Sequence, residues 1–299
     1  MQRGTNVNES VVVGIDDSEH SARAVEFAAA EAVARRTTLR LVHVFHWLPS
    51  PGVPGVAFTE APMDVARAAV VAMLDDAARK ARIAHPGLTV ETMPLEGDVP
   101  KMLTGAGRGA ALLVVGGRGR GGFAGLTLGS VALRTLAMAE CPVMVVRGDQ
   151  VPHSGRIMVG VDLLSPQTSA DALEFAFAEA RLRKAEVYAI NVWEDPLRVL
   201  GSHTRLSDEA FAGFEDIQRR HLASVLEPFE QKHPGVVVTQ QAIPGTVSQL
   251  LVDSTRLVDV LVIGGDARAD EKHPGMRIGA LAHVVLHHAH CPVIVVPEH

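Results

Sequence analysis

The sequence predicts a doubly wound α/β fold that occurs twice in tandem. Three observations carry this: the length of the chain, a self-repeat, and an alternation of short apolar runs with longer segments of helical spacing. At 299 residues the chain is about twice the size of one compact domain, so two units of roughly 140 to 150 residues are expected.

The repeat is visible before any motif is sought. Val11-Val12-Val13-Gly14-Ile15-Asp16 is matched by Ile157-Met158-Val159-Gly160-Val161-Asp162, and Ala24-Val25-Glu26-Phe27-Ala28 by Ala172-Leu173-Glu174-Phe175-Ala176. Both copies then carry a β-type run, a glycine that opens a helical stretch (Gly97, Gly245), an apolar run ending in Gly-Gly, and a closing Cys-Pro-Val. Most counterparts stand 148 positions apart, as Gly116 and Gly264 do.

In the first copy, Val11 to Ile15, Leu39 to Phe45, Thr89 to Pro94, Leu112 to Val115 and Val143 to Val146 are short, apolar and rich in β-branched residues, which predicts strands. Ser21 to Arg35 and Asp64 to Ile83 place apolar residues three and four apart, which predicts amphipathic helices. Near-continuous apolar strands imply a sheet buried on both faces, hence parallel and covered by helices. Residues 148–155 hold Asp, Gln, Pro, His and Ser without apolar periodicity. They divide a first domain, 1–147, from a second, 156–299, as a short linker. The apolar last strand of each copy suits edge pairing, so an intrachain pseudo-dimer and a homodimer are both expected.

Composition narrows the function. A net charge of −6 argues against a general nucleic-acid binder, which needs a basic stripe to displace counterions. No apolar stretch is long enough to span a bilayer, and MQRGTNVNES lacks a signal peptide's apolar core, so the expected location is the cytoplasm, away from membranes. Cys141 and Cys291 occupy matching positions before Pro-Val, which speaks for packing rather than redox or metal chemistry. His287, His288 and His290 are expected at the surface of a last helix.

Ligands of open parallel sheets sit beyond the carboxyl ends of the strands, so the loops there are the candidate sites. After the first strand comes Asp16-Asp17-Ser18; Asp16 is the candidate ligand contact, while Asp17 and Ser18 serve equally well as helix caps. After the fourth strand comes a segment with Gly116, Gly117, Gly119, Gly121, Gly122, Gly125 and Gly129, then Ser130 and a helical run to about Ala139. Glycines let backbone amides approach an anion, and the helix start offers free N–H groups to phosphate. Arg118 and Arg120 either add charge or lie in solvent, and Ser130 either donates to phosphate or caps the helix. Gly117, Gly119 and Gly122 form a GxGxxG match, but it follows the fourth strand rather than the first, so a Rossmann dinucleotide site is rejected; a Walker A lysine is also missing.

The segments Val13-Gly14-Ile15-Asp16-Asp17-Ser18, Leu41-Val42-His43-Val44, and Gly116-x2-Gly119-x9-Gly129-Ser130 followed by Cys141-Pro142-Val143 resemble the universal stress protein family in its tandem, ATP-binding form. The resemblance implies that Asp16 contacts the adenosine part, that the Val44 backbone meets adenine, and that Gly116, Gly119, Gly129 and Ser130 hold ribose and phosphates. It also implies a five-stranded parallel sheet of order 3-2-1-4-5 in each copy.

The second copy keeps Asp162 and Val192 but has Ala267 and Ala280 where the motif has Gly119 and Ser130, and 15 positions rather than 13 separate Gly264 from Gly279. Asp266, Asp270 and Glu271 replace the arginine-rich stretch and would repel phosphate. Weak or no ATP binding is expected there. The leading functional expectation is an ATP-binding regulatory protein, with or without Mg²⁺, in which nucleotide acts as a conformational or assembly switch. A slow ATP hydrolase and a scaffold that binds no nucleotide remain as alternatives.

Overall fold

The computed structural model describes residues 10–45, 61–119, 128–147, 154–195, 207–267 and 276–298, with the backbone alone at 61–63, 266–267 and 276–277. Arg120, Asp270, Glu271 and most of the expected linker therefore lie outside the described residues. The chain divides into two units, Met1–Val146 and Arg147–His299.

The first unit runs β1 (Val11–Gly14), α1 (Glu19–Arg35), β2 (Leu39–Phe45), α2 (Ala61–Ala84), β3 (Val90–Glu96), α3 (Val99–Ala106), β4 (Leu112–Gly116), α4 (Ser130–Met138) and β5 (Val143–Val146). Its strands lie in the order β3-β2-β1-β4-β5, all parallel. Val11, Val12 and Val13 in β1 and Leu112 to Val114 in β4 are fully buried, which is why their sequence shows no polar alternation. β3 continues past Pro94 to Glu96, opposite His43 to Phe45 of β2. Proline is tolerated because β3 has no partner on its other side within this unit, so the missing N–H breaks no ladder.

α1 starts two residues earlier than its apolar spacing suggests, because Ser18 caps it: the Ser18 hydroxyl accepts from the Ser21 amide at 3.1 Å. Asp17 does not share that role. It takes a left-handed φ of 62°, which a short polar side chain tolerates, and so turns the chain from the strand end into the helix.

The second unit runs β6 (Arg156–Gly160), α5 (Pro166–Arg183), β7 (Glu186–Trp193), α6 (Asp208–Lys232), β8 (Val238–Pro244), α7 (Val247–Ser254), β9 (Val260–Ala267), β10 (Met276–Arg277), α8 (Ala280–His288) and β11 (Val293–Pro297). Five strands repeat the parallel order as β8-β7-β6-β9-β11. β10 is an addition: it pairs antiparallel with the end of β9, Met276 against Ala267 and Arg277 against Asp266. In the first unit the equivalent backbone leaves the sheet at Gly116, where the glycine-rich segment begins. The second unit has Asp266-Ala267 after its Gly-Gly pair, residues that remain in extended conformation and support a two-residue ladder.

Candidate functional site

In the first unit, the carboxyl ends of β1, β2 and β4 and the starts of α1 and α4 surround a cavity of about 550 Å³. Asp16, Val44, Gly116, Gly119, Gly129 and Ser130 all line it, although they come from four separate segments. The sheet order accounts for the meeting. β1 lies between β2 and β4, so the loops that follow these three strands open on one side of the sheet.

The Asp16 carboxylate is fixed from the α1 side. Its Oδ1 accepts from the Ser18 hydroxyl at 2.6 Å and the Ser18 amide at 3.2 Å, while the Ser18 hydroxyl accepts from Ser21. One serine thus ends the turn, caps the helix and aims the acid. Gly119 stands against the other carboxylate oxygen: a Cβ there would lie 2.5 Å from Asp16 Oδ2. Gly116 lies against backbone, where a Cβ would be 3.0 Å from the His20 carbonyl. Both positions need glycine for close approach, at ordinary φ.

At the far end of the glycine segment, the Gly129 amide donates to Gly117 O at 2.8 Å and joins the two ends of the segment. Gly129 is the N-cap of α4 and makes no side-chain cap. The first intrahelical bond runs from Leu133 N to Gly129 O at 3.2 Å, so the amides of Ser130, Val131 and Ala132 precede it, and all three residues line the cavity. Ser130 is exposed and its hydroxyl is not the cap; among the described residues it makes no hydrogen bond. Arg118 is exposed at the cavity wall and brings the one cationic side chain among the described lining residues. The arrangement is therefore polar and donor-rich beside α4, and apolar where Ile15, Val42, Val44 and Leu103 face it. A ring at the apolar end and an anion at the α4 end fit this division.

Sequence reasoning missed Ser21, Val42, Leu103 and Leu128 as wall residues. Their apolar or cap-like character marks core or helix start equally well, and only the fold sorts them.

The second unit has a larger cavity, about 970 Å³, at the corresponding place. The counterparts Asp162, Val192, Gly264, Gly279 and Ala280 line it. Its chemistry differs. Asp162 Oδ1 accepts from the Leu164 amide at 2.9 Å, and the added walls are Trp193 and Phe214, whose ring centroids lie 4.9 Å apart. Neither aromatic was singled out from the sequence; the signal available was the Asn191-Val192-Trp193 end of the strand, where the matching run of the first copy has His43-Val44-Phe45.

Cys141 and Cys291 are buried free thiols, and burial pushes both up to about 12. His288 is exposed and His287 and His290 are half-buried at the end of α8. Among the described residues, no cluster of three or more His, Cys, Asp or Glu is placed to hold a metal, and no helix is long and apolar enough to cross a membrane.

Comparison with known proteins agrees with the repeat. The sequence model of the universal stress protein family matches residues 8–147 and again 153–297. A universal stress protein of Mycobacterium tuberculosis is 30% identical over 98% of this chain and 98% of its own length. The crystal structure of a universal stress protein from Archaeoglobus fulgidus has the same fold along 98% of this chain and 100% of its own, with a TM-score of 0.69 at 19% identity. A universal stress protein solved in complex with cAMP covers 47% of this chain and 97% of its own length, at 30% identity and a TM-score of 0.35. With two family matches that together span almost its whole length, the chain belongs to the universal stress protein family, as a tandem pair of its domains.

Proposed function

We propose that the protein is an ATP-binding regulator of a stress response, with the first unit's cavity as the nucleotide site and nucleotide as a conformational or assembly switch. The observation that carries this reading is the convergence of Asp16, Gly119, Arg118, Ser130 and the uncapped start of α4 on one cavity with an apolar end. Adenine takes the apolar end near Val44, Asp16 accepts from the adenosine part, and Gly116, Gly119, Gly129 and Ser130 hold ribose and phosphates. Backbone amides and a helix start suit a polyphosphate because they offer donors and a partial positive charge of about half an electron without a mobile counterion. Magnesium would enter as the ATP chelate and neutralise phosphate charge.

ATP can switch the protein only if it binds one shape or assembly state better than another. The proposal locates the protein in the cytoplasm, with the two units paired within the chain and two chains paired in solution. Sedimentation velocity with and without ATP tests it, on the wild type and on Gly129→Glu. The switch reading expects an ATP-dependent change in sedimentation coefficient in the wild type alone; an unchanged coefficient at saturating ATP removes it. Multiple-turnover release of ADP in the same samples would replace the regulator with a hydrolase.

A further inference from the structure

Four histidines fall close together near the end of the second unit: His283, His287 and His288 on α8, and His290 just after it. His283 and His287 stand four apart, which puts their side chains on one face of the helix, one turn above the other. Their ring centroids lie 4.4 Å apart, with the ring planes at 45°. His288 follows His287 directly and so leaves the helix in another direction, with its ring centroid 6.3 Å from that of His287. His290 sits under the charges of Arg256 and Asp253 instead.

The fold does not ask for the pair. α4 is the matching helix of the first unit: its cap, Gly129, stands 150 positions before Gly279, as Cys141 does before Cys291. At that offset the counterparts of His283 and His287 are Leu133 and Ala137, so the same helix forms and packs with aliphatic residues there. Nor does packing explain the imidazoles, since His283 is exposed and His287 only half-buried.

Two imidazoles one helical turn apart can share a metal ion. Metal–nitrogen bonds of about 2.0 to 2.1 Å, meeting near a right angle, hold two ligating rings roughly 4.5 Å apart between centroids. The observed 4.4 Å is that spacing. His287 lies in the last turn of α8, where the negative end of the helix dipole favours a cation. Arg147 opposes it, because its charge reaches His287. An ion held by charge alone, such as Mg²⁺, is therefore disfavoured, whereas one with a strong preference for imidazole nitrogen is not.

We infer that His283 and His287 chelate one divalent transition-metal ion, copper(II) ahead of zinc, with solvent water in the remaining positions. Two protein ligands make an open, exchangeable site rather than a closed structural one. Neither histidine lines either cavity, so the inference does not rest on the nucleotide reading.

The test titrates the full chain with copper(II) in neutral, nucleotide-free buffer, by calorimetry and by electron paramagnetic resonance at one equivalent. Copper should bind saturably and more tightly than zinc, and its spectrum should show coupling to two imidazole nitrogens. His283→Ala and His287→Ala should each weaken copper at least about tenfold and reduce the coupling to one nitrogen, while His288→Ala keeps both. Without metal, His283→Ala should keep the wild-type Tm, because the side chain is exposed. The inference is overturned by copper that fails to bind below about millimolar, by Mg²⁺ binding as tightly as copper, by a spectrum unchanged in His283→Ala, or by an equal loss in His288→Ala.

Discussion

Gly119 approaches the Asp16 carboxylate so closely that a methyl group on it would lie 2.5 Å from Oδ2. The glycine segment and the first strand's acid are therefore parts of one surface. Gly119→Ala should turn Asp16 away from the cavity and weaken ATP by about tenfold, roughly 1.4 kcal/mol. Tm should hardly move, because Gly119 is exposed and the displaced group is a side chain. Calorimetric titration paired with thermal unfolding checks both halves; normal affinity would separate Asp16 from the nucleotide.

A second glycine pair separates packing from binding. At Gly264 a Cβ would lie 2.4 Å from the Thr168 carbonyl, which is backbone of α5 and cannot swing aside. Gly264→Ala should therefore destabilise by about 1 to 3 kcal/mol. At Gly279 nothing lies within 4 Å of an added Cβ, so Gly279→Ala should change stability by only about half a kcal/mol. Urea unfolding of the two variants gives the comparison.

The thiols predict the alkaline limit. Burial raises Cys141 and Cys291 from 9.0 to about 12, so between those values the unfolded chain releases thiol protons that the folded chain keeps. Stability should fall as pH rises above 9.0, by up to about 1.4 kcal/mol per pH unit for each thiol. Replacing both cysteines by alanine should flatten that slope. In the native state neither thiol should react with a disulfide reagent at pH 8.

On the acid side both the group and the sign of the pH slope differ. Burial, helped by the charges of His283, Arg147 and His288, lowers His287 below 6.5. The unfolded chain then takes up a proton first, so stability should decline as pH drops through 6.5 towards the lowered folded value. His287→Gln should make unfolding free energy less dependent on pH in that window, as measured by denaturant titration in overlapping buffers.

Much of this site could be read before the fold was known, for a physical reason. Asp16, Gly116, Gly119, Gly129 and Ser130 sit at strand and helix ends whose chemistry is local: a carboxylate at a turn, glycines without Cβ, a helix beginning on a small residue. The strands were legible because burial on both faces removes alternation, as in Val11 to Val13. What the sequence left open is tertiary. Ser18 rather than Asp17 became the cap because Asp17 is held at φ 62°. β3 outran its expected end because Pro94 lies on the side away from β2's ladder. Trp193 and Phe214 line the second cavity and Phe211 packs against Trp193 from the same helix as Phe214, whereas helical spacing says only that those two phenylalanines share a side of their helix.

The erosion of the second motif also has a structural form. Where the first unit turns out of the sheet at its glycines, the second continues β9 to Ala267 and adds β10, so the backbone that would face a phosphate is paired in a ladder instead. ATP should therefore bind once per chain.

Calorimetric titration of nucleotide-free protein with ATP tests that most directly, on wild type and on Gly129→Glu. A stoichiometry near one per chain, abolished by Gly129→Glu, is the expected result, because the new carboxylate would stand at the start of α4, where the proposed function puts phosphate. A stoichiometry near two would contradict the account of the second unit, and undiminished binding in Gly129→Glu would contradict the first unit's cavity as the ATP site.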